Sequence, residues 1–382
     1  MTGGLAGDWA SPHYAGAGLD AVLPSVLLSL GVESPERPAD ALYLPMPAVD
    51  RAVVVLVDGL GDRLLRRRAG HAPFLRSLLP TSTVLRSGFP TTTATSMGSF
   101  GTGLPPGAHG LVGYEVMDPD TGRVLNELSW ENGPVPEQWQ PFETVFERAS
   151  SAGLATSMIG PGFFDGSGLT RAALRGANFV GAESLVDRVD AALISARESR
   201  SLTYLYWGEV DKIGHVHGCD SWQWGDELAA VDHELDRLAH SLPPGTSLHI
   251  TADHGMVDVP TTGVLDVAFD MPLRDGVARV AGEPRSPQVH AEPGAVDEVY
   301  ARWRDRLTGR GEVLLRSEAI ERGLFGSVRE EVLGRIGDLV VLMAPGFSVV
   351  DSRVQRPELI ALIGVHGSLT PDEIEIPLLS VV

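Results

Sequence analysis

Three apolar stretches in this chain each lead into a carboxylate, and that pattern constrains the fold more than any other feature. Residues 52–57, AVVVLV, end at Asp58. Residues 202–207, LTYLYW, precede GEVDKIGH, which holds Asp211. Residues 247–251, SLHIT, precede ADHG, which holds Asp253. A continuous apolar, β-branched run such as 52–57 is the mark of a strand buried on both faces. Between these runs the periodicity becomes helical. Leu228, Val231, Leu235 and Leu238 fall at helical spacing within 225–241. Further helices are expected at 61–79 with a break at Pro73, and at 142–149 and 184–198, with a strand at 155–159. Strands alternating with helices predict an α/β fold with a mostly parallel central sheet and helices on both faces. Ligands bind such sheets beyond the carboxyl ends of the strands, so three carboxylates distant in sequence should meet at one edge.

At 382 residues the chain exceeds a simple single-core domain. Residues 1–45 read as an N-terminal arm with a short helix at 21–30, and 46–382 as the catalytic domain. Residues 260–360 are less regular, with strands at 285–290 and 339–343 and helices at 297–307 and 317–323. They read as a smaller inserted cap. The net charge of −20 leaves no basic footprint for a nucleic-acid polymer. It leaves room for a phosphate substrate, because bound divalent metals can be the largest local charges in a site. The single cysteine, Cys219, excludes an intramolecular disulfide framework. The segment AVLPSVLLSLGV is too short to span a bilayer and contains Pro24. MTGGLAGDWASPHYAG has no basic stretch followed by an apolar core. These features lead to the expectation of a cytoplasmic protein without a membrane partner.

The three carboxylates have histidine companions. Asp211 and His215 are four apart, on one face of a helical turn. Asp253 and His254 are adjacent where a strand should end, and His366 stands between glycines in GVHGS. Each segment alone has a plain structural explanation, since DG and DHG also make turns. Together, Asp58, Asp211, Asp253, His215, His254 and His366 form a half-carboxylate, half-imidazole set. That mixture suits two divalent metals, Zn²⁺ first and Mn²⁺ as the alternative. Thr93, in FPTTTATS, is the candidate nucleophile. A threonine hydroxyl needs a metal or a base to activate it, and a helix opening after Pro90 would aim free N–H groups at a phosphoryl group. Helix capping would account for one of the three consecutive threonines. His217 is a candidate for a supporting contact beside the ligands.

These segments resemble the alkaline phosphatase superfamily, most closely its nucleotide pyrophosphatase/phosphodiesterase branch, over most of residues 50–370. PTTTATSMGSFGTGLPPGAHGLVG is similar to that branch's nucleophile region, with Thr102-Gly103-Leu104 and His109-Gly110 at the expected offsets from Thr93. Residues 114–119 match a YxMYDP-like stretch loosely. EVDKIGH differs from the family's EPDxxGH only by Val210. The resemblance implies one zinc held by Asp211, His215 and His366 and a second by Asp58, Asp253 and His254, with Thr93 beside the second. It places Ser96 where family members carry an Asn that donates to a phosphate oxygen. It further implies hydrolysis of phosphodiester or pyrophosphate bonds in nucleotide-type substrates through a phospho-threonine.

Two other classes stand beside this one. A phosphomonoesterase or phosphonate hydrolase would share the fold and the ligands. A non-catalytic phosphate-binding protein predicts eroded ligands, and all six are present. A sulfatase is disfavoured, because no Cys-x-Pro-x-Arg occurs.

Overall fold

The strand Arg51–Val57 lies in the middle of the central sheet, and every side chain from Ala52 to Val57 is buried. Successive side chains of a strand point to opposite faces, so both faces of the sheet are covered here. The computed structural model describes residues 9–14, 16–34 and 41–382. The parts of the N-terminal arm at 1–8, 15 and 35–40 therefore lie outside the described residues.

The seven strands run in the order Thr83–Arg86, Glu375–Val381, Thr246–Thr251, Arg51–Val57, Ser201–Trp207, Ala155–Gly160, Asn178–Gly181. Neighbours pair in parallel except at Glu375–Val381, which is antiparallel to both of its partners. The fold is thus α/β with a mostly parallel sheet.

The helices begin where the sequence supplies caps. Thr144 and Glu147 form a reciprocal capping box ahead of Val145–Ser151. Ser184 and Ser221 each accept the backbone N–H three residues on, at the starts of Leu185–Ser195 and Trp222–Ser241. Pro73, which cannot continue a helix because it lacks an N–H, opens Pro73–Leu78 after Asp62–Arg67 has ended. Leu228, Val231, Leu235 and Leu238 are fully buried, as their spacing requires. The helix expected at 21–30 is Val22–Ser29. Its Val22, Leu23, Val26 and Leu27 are part of the main core, so this portion of the arm is integral to the fold.

Residues 260–360 contribute a second, smaller core, while Leu314, Phe325, Ile336 and Val340 join the main one. Four strands run in the order Val277–Glu283, Ser286–Ala291, Leu339–Met343, Gly311–Leu315. Helix Val296–Arg306 packs Val299 and Trp303 against them. Arg285, in the turn of the first hairpin, ties this unit to the main body of the fold. Its guanidinium makes a fully buried pair with Glu373, with Nη2 2.7 Å from Oε2.

The sheet register sets up the site. Val57 is level with Trp207, and Leu56 with Thr251. Asp58, the Glu209–His217 helix and Asp253 therefore emerge at the same edge. Among the described residues no helix is long and apolar enough to cross a membrane.

Candidate metal centre

The chain leaves the Arg51–Val57 strand at Asp58, whose neighbour Gly59 has a φ of +73°. A β-carbon at Gly59 would lie 2.9 Å from Asp211 Cα, so only glycine lets these two acid-bearing turns approach. Asp253 is oriented by backbone, its Oδ1 accepting the N–H groups of Gly59 at 3.1 Å and of His254 at 2.9 Å. Its Oδ2 is left free. Asp58 Oδ1 and Asp211 Oδ1 are likewise buried without a hydrogen-bond partner. Three orphaned carboxylate oxygens in one pocket are costly unless a cation meets them.

The histidines are oriented to match. Nδ1 of His215 contacts the Gly364 carbonyl at 2.6 Å, that of His366 the Thr91 carbonyl at 2.7 Å, and that of His254 the Gly255 carbonyl at 3.1 Å. A carbonyl on Nδ1 fixes the proton there and leaves Nε2 as the donor to a metal. His215 Nε2 lies 3.1 Å from Asp211 Oδ2, and His254 Nε2 lies 3.3 Å from Asp253 Oδ2 and 3.6 Å from Asp58 Oδ1. Ligand atoms of Asp58, Asp253 and His254 fall within 4.8 Å of one another, as do those of Asp211, His254 and His366. The first group is one of the two triads that the resemblance implies. In the second, His254 stands where His215 was expected, because its ring stacks on His366 with centroids 3.8 Å apart. His215 flanks Asp211 from the other side.

Electrostatics show the same need for positive charge. Burial, then the proximity of Asp253 and Asp211, pushes Asp58 well above the ordinary carboxylate range. Burial alone would lower His215, but Asp211 lifts it to about 9. Burial, reinforced by the neighbouring His254, holds His366 well below its ordinary value. Divalent cations relieve the carboxylate repulsion, and the donor set of oxygens and imidazole nitrogens fits Zn²⁺ or Mn²⁺.

Thr93 is the first residue of helix Thr93–Thr102. Its Oγ1 is 3.4 Å from Asp58 Oδ2 and 3.3 Å from His254 Nε2. Thr92 precedes the helix without making a side-chain cap, so the first-turn N–H groups stay open to a ligand. Thr93, Asp211, His215 and His366 line one cavity of about 360 Å³.

Two expected contacts fall elsewhere. Ser96 is fully buried and donates to the Asp253 carbonyl at 2.9 Å, beside Ser87. One turn into the helix, its only proton is spent holding the Asp253 backbone, so it does not reach the cavity. His217 is exposed and contacts Gln223. Two residues past His215 a helix has turned by about 200°, which carries His217 away from the ligands.

Spacing and motifs did not mark the part that every participant plays. Tyr206 donates to Asp58 Oδ2 at 2.5 Å from within its strand. Tyr114 and Glu283 line the cavity from the hairpin region and the cap. The alternation of LTYLYW could have flagged Tyr206, since one face of a strand-end aromatic must meet the site. Glu283, in a segment without a motif, had no such signal.

Known proteins offer independent comparison. The model of the family described as type I phosphodiesterase/nucleotide pyrophosphatase matches residues 52–369. Mouse ectonucleotide pyrophosphatase/phosphodiesterase family member 7 is 30% identical over 142 residues, which are 34% of this chain and 30% of that protein. An uncharacterized pyrophosphatase/phosphodiesterase of Schizosaccharomyces pombe is 26% identical over 218 residues, 53% of this chain and 44% of that protein. The matched stretches thus span less than half of these curated relatives. In structure, murine ectonucleotide pyrophosphatase/phosphodiesterase 5 aligns with a TM-score of 0.67 at 21% identity, over 86% of this chain and 87% of that one. Its inactive threonine-to-alanine form has been solved in complex with AMP. Phosphonoacetate hydrolase from Sinorhizobium meliloti, in complex with phosphonoformate, aligns with a TM-score of 0.67 at 20% identity, over 89% and 91% of the two chains. At such identities these structural likenesses speak for the fold.

Proposed function

The chain belongs to the type I phosphodiesterase/nucleotide pyrophosphatase family, and from that premise we propose that it is a two-metal hydrolase cleaving phosphodiester or pyrophosphate bonds in small, nucleotide-type esters. The observation that carries this reading is Thr93 Oγ1, at a helix start and within 3.4 Å of both Asp58 and His254. Asp58, Asp253 and His254 would hold one metal, and Asp211, His215 and His366 the other. Zinc bound there supplies Lewis acidity toward the phosphoryl oxygens and lowers the pKa of the Thr93 hydroxyl.

The protein's own groups do the rest. The Thr93 oxygen attacks phosphorus, forming a P–O bond as the bond to the leaving oxygen breaks. The first-turn N–H groups of Thr93–Thr102 steady the phosphoryl oxygens. Water then cleaves the phospho-threonine and restores the hydroxyl. Tyr206 and Ser96 keep Asp58 and Asp253 in position. The murine relative, inactive in its threonine-to-alanine form and holding AMP, supports both a threonine nucleophile and a nucleotide-type ligand.

The cavity wall supports a diester. Lys212 is the one Lys or Arg among its described lining residues, and it is paired with Glu209 at 3.1 Å. The second negative charge of a monoester would therefore meet no free cationic side chain on the wall. Leu128, Val216, Leu359 and Leu362 offer apolar surface for a second substituent. The likeness to phosphonoacetate hydrolase favours phosphonate hydrolysis as the second reading.

The test is kcat/KM for bis-p-nitrophenyl phosphate and p-nitrophenyl phosphate with zinc, in wild type and Thr93→Ala. The diester should be preferred, and Thr93→Ala should abolish turnover. A tenfold preference for the monoester would point to a phosphatase. Thr93→Ala activity within about tenfold of wild type, only about 1.4 kcal/mol of barrier, would remove Thr93 as nucleophile.

A further inference from the structure

The cap lends the cavity one ionisable side chain that the proposed chemistry leaves unused. Glu283 ends the cap strand Val277–Glu283 and is only 7% exposed, yet it lines the same cavity as Thr93, His215 and His366. It presses close to the ligand loop. A β-carbon on Gly367, next to His366, would lie 2.6 Å from Glu283 Cβ. Glu283 Oε1 is buried and accepts no hydrogen bond.

No side chain lining the cavity donates to that oxygen. Lys212, the one Lys or Arg among the described lining residues, is paired with Glu209, and Leu128 and Leu359 carry no polar side-chain atoms. Burial pushes the carboxyl up to about 8, against the weaker pull of Thr92 and His215. A buried acceptor without a donor is costly. At the wall of a ligand cavity the missing donor is supplied by the ligand.

We propose that Glu283 is a specificity-determining residue whose Oε1 accepts a hydrogen bond from a hydroxyl or amino group on the organic substituent of the substrate. The inference rests on the phosphodiesterase reading and deepens it by naming the chemistry of that substituent. Esters of polyols, sugars or amino alcohols are selected over plain alkyl esters. A site built to bind a donor rejects the analogue lacking it far more strongly than an apolar pocket rejects a change of shape.

The experiment compares 3-hydroxypropyl, 3-aminopropyl and propyl p-nitrophenyl phosphate, which share one leaving group. kcat/KM is measured for zinc-loaded wild type, Glu283→Ala and Glu283→Leu. Wild type should favour at least one donor-bearing ester over the propyl ester by on the order of tenfold or more. Both variants should bring that ratio close to one. Because the readout is a ratio, a general loss of activity cancels, and Glu283→Leu preserves side-chain bulk should the alanine variant fold poorly. A wild-type ratio near one, or a ratio unchanged in the variants, overturns the proposal. Failure of wild type to turn over any diester refutes the hydrolase reading instead. Calorimetric binding of 3-hydroxypropyl, 3-aminopropyl and propyl phosphate to the same proteins then decides the role of Glu283, with the same pattern of ratios expected.

Discussion

Replacing Arg285 by methionine should loosen the joint between the cap and the His366 loop. Both side chains of the Arg285–Glu373 pair are 0% exposed. Arg285 donates Nε and Nη2 to the two Glu373 oxygens at 3.0 and 2.7 Å, and Nη1 to the carbonyls of Ala344 and Phe347. The substitution removes these four bonds and leaves a carboxylate buried with two donors, the Ser368 N–H and the Thr370 hydroxyl. Stranding one partner of a buried pair costs about 3–5 kcal/mol. The two surviving donors argue for the lower end. Methionine is unbranched and of similar length, so it should leave little cavity. The double replacement Arg285→Met/Glu373→Leu should recover much of the loss, because neither charge then remains to be desolvated. Ser368 is two residues from His366, so the single variant should weaken metal binding as well. Urea midpoints with and without zinc, together with chelator competition, measure both effects. A single-variant cost below about 1 kcal/mol, or a double variant no more stable than the single, would refute the reasoning.

Other substitutions test the centre more locally. His215→Ala should bring the metal content down to about one per chain, because no other imidazole lies beside Asp211 on that side. Two metals retained after dialysis would remove His215 from the ligands. Tyr206→Phe takes a donor from Asp58 Oδ2 and should weaken metal affinity by roughly 10- to 100-fold, read by chelator competition. Glu127 tests burial away from the site. Burial raises its carboxyl to about 8 from an ordinary 4.5, although Trp139 donates to it. A carboxyl raised in the folded state contributes its stability fully below about 4.5 and loses it as pH rises through about 8. Glu127→Gln should therefore gain stability relative to wild type, by on the order of a few kcal/mol, between pH 5 and pH 8.5. Equal Tm differences at both pH values would count against this.

Much of the architecture is legible because it rests on local physics. AVVVLV can satisfy its side chains only as an interior strand, and Pro73 dictates where a helix must restart. The four-residue spacing of Asp211 and His215 became one helix face in Glu209–His217. Parts that depend on distant partners are not legible in this way. Thr83–Arg86 and Asn178–Gly181 are four-residue edge strands, and Glu375–Val381 carries Pro377, which weakens any strand signal. Their extended form is imposed by the sheet they join. Ser96 and His217 could not be placed from spacing to a motif, since one turn of helix decides between cavity, backbone support and solvent. Glu283 reaches the cavity only because the cap folds back over Gly367, a tertiary contact that leaves no mark on its own segment.

The most direct test of the account is the metal content of the protein purified without chelators and reconstituted with zinc. The three orphaned carboxylate oxygens and the three histidines whose Nε2 faces the carboxylates predict close to two divalent metals per chain by elemental analysis. Well under one metal per chain after reconstitution would contradict the two-metal centre and, with it, the activation of Thr93.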